Sequence, residues 1–360
     1  MQHPPLISSD IEPGQDWEIF SFHPQDAPGV CRLFRSVYGD GYPIRDYIEP
    51  DRLIAANAET RIISTVARTS RGDIVGHNAL FQSAVDPGIY ELGAGLVHTA
   101  YRGGAGIFTR MIEHGLCQAE SNPAVNTVFG EPVCNHIFTQ KTMVSKHYVP
   151  RALEVDLMPA STYETEKSSS GRVAALLGFR TYRPKPHRVF LPEMYENTLR
   201  FLYSEPDDSR EFQISDQPTP CDRNSDIQTT FFDFAAVARI AVHEIGSDFL
   251  SDTVRLENQL RERGVLVSQL WLKLTCPWVG QAVGILRGQG YFLGGVLWRW
   301  FNDDGLLMQK IYKIPDWEGI QVYGKRSEQI RDMIRADWEK SVGYQPEPGL
   351  DLPTEKRDRA

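Results

Sequence analysis

A chain of 360 residues exceeds the usual size of one domain, so two are expected, and its 41% apolar and 24% charged residues supply an ordinary globular core. A net charge of −9 with no Lys/Arg-rich block argues against a general nucleic-acid binder. No apolar run reaches the roughly 18 residues of a membrane span, MQHPPLISSDIEPGQDW lacks the layout of a signal peptide, and five scattered cysteines without a CxxC pair suit a reducing compartment. These features predict a cytoplasmic protein that engages neither membrane nor nucleic acid. The nine histidines show no HxxxH or HExxH spacing, so no metal site is expected.

In chain order, WEIFSFH (17–23) reads as a strand. DAPGVCRLFRSVYGDGY follows as a helix with Val30, Leu33, Phe34 and Val37 on one face, and PDRLIAANAE as a second helix beginning near Pro50. RIISTVART and IVGHNALFQ are strands separated by the turn-like SRGD. ELGAGLVHTAYRGGAGIFTRMIEHGL (91–116) joins a strand, a glycine-rich turn and a helix. VNTVFGEPV is then a strand, FTQKTMVSKHY a helix, and RALEVDLMP and HRVFLP strands, with a long insertion over 160–185 that is expected to act as a lid.

Residues 204–226 are acidic, proline-bearing and aperiodic, and are expected to be a linker. IQTTFFDF, VSQLWLKL and FLGGVLWRWF read as strands, DTVRLENQLRERG, WVGQAVGILRGQG and EQIRDMIRADWEK as helices, and NDDG as a hairpin turn into LLMQKIYK. The boundaries are a first domain at 15–203, a linker at 204–226, a second domain at 227–343 and a disordered tail at 344–360. The second domain repeats the later elements of the first without a glycine-rich turn.

The stretch 91–116 carries the chemistry. In a regular strand, Tyr90, Leu92, Ala94, Leu96 and His98 share one face, and Ile89, Glu91, Gly93, Gly95 and Val97 the other. Two glycines on one strand face mark a close approach by a ligand or another backbone, and the adjacent Glu91 has the chemistry of a general base. Beyond the strand, RGGAG lets backbone N–H groups converge at a helix start beside the fixed charge of Arg102, a cradle for a diphosphate or a turn with no ligand.

The order of elements, with this turn between the fourth strand and its helix, resembles the GNAT acyltransferase superfamily. Its members bind acetyl-CoA through Gln/Arg-x-x-Gly-x-Gly/Ala, usually introduced by Tyr-Arg-Gly, and YRGGAGIFTRM matches the entrance and the glycine-rich turn. The register departs, since Ala105 stands three residues after Arg102 and Gly106 follows it. CNHIFTQKTMVSKHY resembles a His-x-x-Ser-Gln-Lys segment of a bacterial subgroup, with Thr139, Gln140 and Lys141 at the Ser-Gln-Lys positions and His147–Tyr148 in place of Gly-Phe. The resemblance covers about residues 17–200.

It implies an α/β fold, a GNAT-like mixed sheet flanked by helices, followed by a second, degenerate GNAT-like half that shapes the acceptor cleft. It implies an N-acyltransferase moving an acetyl or other short acyl group from acetyl-CoA or another acyl-CoA to a primary amine of a small molecule. Two alternatives are a donor thioester on the phosphopantetheine of an acyl carrier protein, and a non-catalytic binder or sensor. The pantetheine arm would lie along Leu96, Val97 and His98. The diphosphate would sit at Arg102, Gly103, Gly104, Ala105, Gly106 and Ile107. Glu91 would be the base. The tyrosine that many relatives use as general acid corresponds to Met143, leaving Tyr148, His136 or water. Cys134 is read as a small core residue, since no group orients it as a nucleophile.

Overall fold

The computed structural model describes residues 11–39, 42, 44–103, 106–160, 171–204 and 209–342. Its first half runs β1 (Trp17–Ser21), α1 (Ala27–Tyr38), α2 (Pro50–Ala58), β2 (Ile62–Thr69), β3 (Ile74–Gln82), β4 (Ile89–Val97), α3 (Ile107–Ser121), β5 (Thr127–Gly130), α4 (Phe138–Ser145), β6 (Val149–Pro159) and β7 (Arg172–Thr181). A connecting unit follows, of β8 (His187–Leu191), α5 (Glu196–Leu202) and β9 (Arg210–Ile214). The second half is β10 (Asp226–Phe232), β11 (Val237–Glu244), α6 (Phe249–Glu262), β12 (Val267–Lys273), α7 (Val279–Gly288), β13 (Phe292–Leu297), β14 (Gly305–Ile311) and α8 (Lys325–Val342).

The expected mixed sheet flanked by helices is present, and the two halves share it. Twelve strands lie in the order β1-β2-β3-β4-β5-β7-β6-β13-β14-β12-β11-β10. Each half contains one parallel pair, β4 with β5 and β11 with β12, bridged by α3 and α6 respectively. Antiparallel partners flank both pairs, so β11, α6, β12, α7, β13 and β14 repeat β4, α3, β5, α4, β6 and β7. Burial accompanies the repeat: β13 is apolar throughout and β12 is buried from Val267 to Leu272, as expected of strands covered on both faces.

The halves meet at a narrow seam. Among the described residues, the one strand pairing across it is Gly295 of β13 with Ala152 of β6. Alongside, the Gln309 side chain of β14 takes the place of ladder partners: its Oε1 accepts from Val155 N at 2.9 Å and its Nε2 donates to Leu153 O at 2.9 Å. Gly294 and Gly295 make this approach possible, since a Cβ on Gly295 would lie 2.4 Å from Arg151 O and 2.5 Å from Ala152 Cα. Helix α8 crosses the seam, where Arg326 anchors it by donating to Pro150 O and Leu202 O.

The sheet curls strongly. Four strand spacings separate β6 from β11, roughly 19 Å in a flat sheet. Yet Arg239 of β11 stands 3.7 Å from Glu154 of β6. Leu157, Ala175, Ala235, Val237 and Val267 form one buried cluster beneath this fold-over.

Three segments differ from the sequence expectation. Within the insertion 160–185, Arg172–Thr181 form the central strand β7, because RVAALLGF is a continuous apolar run buried on both faces; the lid reading would rest on 161–170, outside the described residues. The stretch 204–226 contains β9, which pairs in parallel with β8. Strand β9 is fixed by Arg210, which donates to buried Asp304 at 2.7 and 3.1 Å. Asp304 also accepts from the Tyr203 hydroxyl at 2.8 Å, so this aspartate, read as a turn former, is a buried anchor. Strand β11 was not anticipated. Trp298 and Trp300 are core residues, and the guanidiniums of Arg151 and Arg210 lie 3.5 and 4.1 Å from the Trp298 ring. The tail 344–360 falls outside the described residues.

Replacing Gly295 with alanine would force β13 away from β6 at their single paired position. The expected cost is about 1–3 kcal/mol, read as a lowered thermal midpoint; an unchanged midpoint would show that the seam tolerates a Cβ.

Candidate active site

Strand β4 is not regular. Gly93 faces Ala79 of β3 and Leu96 faces His77, so β4 carries one extra residue between them. Ala94 takes it up with a left-handed φ of +49°. A bulge of this kind reverses the alternation of side chains beyond it. Gly93 therefore remains on the face of Glu91, whereas Gly95 turns to the α3 face, beneath Phe108. The two glycines expected on one bare face lie on opposite faces.

His77 pins the bulge. Its Nδ1 lies 2.9 Å from Ala94 O, an acceptor only, so Nδ1 carries the proton and Nε2 accepts from the Ser64 hydroxyl at 3.1 Å. Burial lowers its pKa to about 4, opposed in part by the Ala94 hydrogen bond, and keeps the ring neutral.

Strands β4 and β5 pair only from Ile89 to Glu91, against Thr127 to Phe129. Beyond that they diverge, leaving the β5-facing edge of β4 from Leu92 to Val97 without a strand partner among the described residues. Leu96, Val97 and His98 lie along this opening; His98 donates its N–H to Val75 O at 2.8 Å. Arg102 Nε donates to Val97 O at 2.9 Å. Gly103 and Gly106 adopt φ of +94° and +68°, and Gly106 precedes the first turn of α3 at Ile107. Positive φ at Gly103 and at Gly106, the residue before a helix start, is compatible with an anion at the helix N-terminus. Gly104 and Ala105 lie outside the described residues.

The corresponding turn of the second half, between β11 and α6, is occupied by the protein itself. Gly246 N donates to Ser225 Oγ at 3.0 Å and Ser247 N to Arg223 O at 3.1 Å. A Cβ on Gly246 would stand 2.4 Å from Arg223 O.

Glu91, at the point where β4 and β5 part, accepts from the Ser83 hydroxyl at 2.8 Å. It lines a cavity of about 260 Å³ built from both halves. Glu131 and Val133 follow β5, Leu157 comes from β6 and Ala175 from β7, while Phe232, Val237 and Arg239 come from the second half. Arg239 is the hub. It lies 3.3 Å from Glu131 and donates Nε to Gln269 Oε1 at 3.0 Å. Burial opposes its charge, but Glu131, Glu154 and Glu91 outweigh that and raise its pKa.

One guanidinium does not neutralise three carboxylates. Burial, and then the charge of Glu131, push Glu91 up to about 8; the Ser83 bond and Arg239 oppose this only in part. Burial and Glu131 also raise Glu154 well above the usual carboxylate range, and its Oε2 has no hydrogen-bond partner. A carboxyl poised near neutrality on the wall of a cavity has the properties of a general base.

The other expected residues stand apart from this cavity. His136 precedes α4, its ring tilted against that of Phe138 at 5.6 Å between centroids. Tyr148 precedes β6, packed with Tyr90, Val128 and Met143; its hydroxyl is buried without a hydrogen-bond partner, and burial raises its pKa well above the phenol range. Met143, at the position of the tyrosine acid, packs against Gly130. Burial raises the Cys134 thiol to about 12, consistent with a core residue. Gln140 proves to be a staple: Nε2 donates to Gln321 O at 2.9 Å and Oε1 accepts from Tyr323 N at 2.8 Å, tying α4 to the second half. Glu131, Glu154, Arg239 and Gln269 were missed because nothing local announces them; only β-strand alternation around Arg239 marks an inward charge.

No protein-family model and no curated protein matches the chain. Among solved structures, it is similar over 46% of its length to 93% of a ribosomal-protein-S5-alanine acetyltransferase from Vibrio fischeri, at 10% identity and a TM-score of 0.37. It is similar over 47% to 96% of yncA, a putative acetyltransferase from Salmonella typhimurium with its cofactor acetyl-CoA, at 10% identity and a TM-score of 0.37. It is also similar over 46% to 95% of the spermidine/spermine N-acetyltransferase SpeG from Vibrio cholerae, at 9% identity and a TM-score of 0.35.

The displaced titration of Glu91 has a measurable effect on stability. The folded carboxyl keeps its proton up to about pH 8, whereas the unfolded one releases it near 4.5. Between those values the folded state binds more protons, so this group's contribution to stability falls as pH rises through the window and stays low above it. Glu91→Gln is expected to raise the melting temperature at pH 9 and to leave it close to wild type at pH 4.5. A difference independent of pH would contradict the assignment.

Proposed function

We propose that the chain is an N-acyltransferase that moves a short acyl group from a CoA thioester to a primary amine of a small molecule. The observation that carries this reading is Glu91, a carboxyl raised to about 8 where the parting of β4 and β5 meets a cavity lined by both halves. The open edge of β4 offers backbone groups to a pantetheine arm, with Arg102, Gly103, Gly106 and Ile107 at the helix start receiving the diphosphate. Gly104 and Ala105 complete that loop in sequence.

The amine enters from the cavity as an ammonium ion, whose charge favours the ionised form of Glu91. Ionised Glu91 takes one proton from the ammonium nitrogen and the neutral amine attacks the thioester carbonyl carbon. As the tetrahedral adduct collapses, the C–S bond breaks and the nitrogen gives up its second proton to water, leaving the amide. The departing thiolate takes its proton from water, since Met143 stands where relatives of the resembled family carry a tyrosine. Orientation along β4 and removal of the amine proton supply the rate enhancement. The net charge of −9 favours CoA over an acidic carrier protein as the donor.

The competing reading, a thioester sensor without chemistry, draws on Met143 and on the buried, hard-to-ionise Tyr148. One comparison separates the two. With acetyl-CoA and a panel of primary amines, Glu91→Gln is expected to lower kcat/KM by about 10²–10⁴-fold while binding CoA as the wild type does. The wild-type rate should rise with pH up to about 8 and level off above it. Turnover unaffected by the substitution would remove Glu91 from the mechanism, and wild-type binding of acetyl-CoA without turnover would favour the sensor.

A further inference from the structure

Resting on the acyl-transfer reading, we infer that the acceptor is a primary monoamine on a compact apolar body, an alkylamine or arylalkylamine, and that the second half of the chain selects it. Ten of the thirteen residues around the cavity are apolar, and the other three are Glu91, Glu131 and Arg239. The polar groups cluster around Glu91, leaving the remaining wall to Val133, Leu157, Ala175, Val237 and their neighbours. Such a wall accommodates hydrocarbon and leaves hydroxyl groups without partners, which disfavours an amino sugar. The volume of about 260 Å³ sits just below the range of drug-sized pockets, so the body is small.

The charges limit the acceptor to a single cation. Arg239 is already engaged by Glu131 and Gln269, so it is not free to receive the carboxylate of an amino acid, which would face Glu91 and Glu131. A polyamine would need a second anion farther along the cavity. Glu154 is the remaining carboxylate of the cluster; it is only 2% exposed and does not line the wall. Arg239 therefore sets the charge of the site from the opposite half. Phe234, on the short turn between β10 and β11 and 59% exposed, closes the apolar rim.

The test is calorimetric binding to the full chain without thioester, so that it does not depend on turnover. Phenethylamine and hexylamine are expected to bind at least about 10-fold more tightly than spermidine, glucosamine or glycine, since one well-buried apolar contact surface is worth that factor. Phe234→Ser, at an exposed position that leaves the core intact, should weaken hexylamine several-fold and glycine not at all. Arg239→Gln should shift preference towards hexane-1,6-diamine; if that variant fails to fold, the Phe234 variant and the amine series decide. Tighter binding of spermidine, glucosamine or glycine overturns the inference, and their acetylation would leave the acyl-transfer reading standing. Competition of octanoyl-CoA, but not acetyl-CoA, with hexylamine would assign the cavity to the acyl chain and also overturn it. Tight binding of the apolar amines without acyl transfer from any thioester would uphold the cavity assignment and remove the enzymatic reading.

Discussion

The guanidinium of Arg239 holds the architecture and the candidate chemistry together. It reaches Glu131, beyond β5 of one half, and Glu154 on β6, from a strand four places away in the sheet. Without this ion cluster, the fold-over of β11 onto β6 and β7 would bury carboxylates facing one another. With it, the sheet closes on itself and leaves a cavity whose wall retains one more acid than a single cation can satisfy. Breaking a buried ion cluster at one member is costly because the others are left unpaired. Burial, and after it the unneutralised charge of Glu131, gives Glu91 its late titration, and both follow from the same closure of the sheet.

The two halves use one plan differently. Both contain a parallel pair joined through a helix, but the first parts after three residue pairs and the second continues for five. In the first half the turn before α3 contains glycines at positive φ with no Cβ neighbour within reach. In the second, residues 223–225 fill the matching turn and use its amides. An open turn and a plugged copy of it thus coexist in one sheet. The second half retains the scaffold and contributes wall residues in place of a cradle.

Much of this was legible in the sequence, and the failures have physical causes. The strands of the first half follow from alternation and turn residues, and α1 buries Val30, Leu33 and Phe34 as its 3.6-residue spacing requires. Glu91 was legible as an acid beside glycines. The face assignment of Gly95 failed because a bulge inverts parity, and nothing in the ELGAG sequence separates a bulge from a straight strand; the decisive interaction, His77 to Ala94 O, is a tertiary contact. Strand β7 was hidden behind the polar STYETEKSSSG. The Gln140 motif was recognised by resemblance, but its partners Gln321 and Tyr323 are remote in sequence, so its role as a staple between halves was out of reach. Arg239 and Gln269 pair on neighbouring strands, but they lie four strands or fewer from Glu154 on β6 and meet it only once the sheet curls.

The seam at Gly295 and Ala152 also constrains how the molecule comes into being. These partners are separated by 143 positions (295 − 152), and contacts so distant along the chain form slowly and late. During synthesis from the N-terminus, β4, its bulge and the turn before α3 emerge long before Arg239 and the wall that β11 provides. A nascent first half therefore leaves Glu91 without Arg239 and without the part of the apolar wall that Phe232, Phe234, Ala235 and Val237 supply. The cavity comes into existence only after residue 239 has left the ribosome and the sheet has closed.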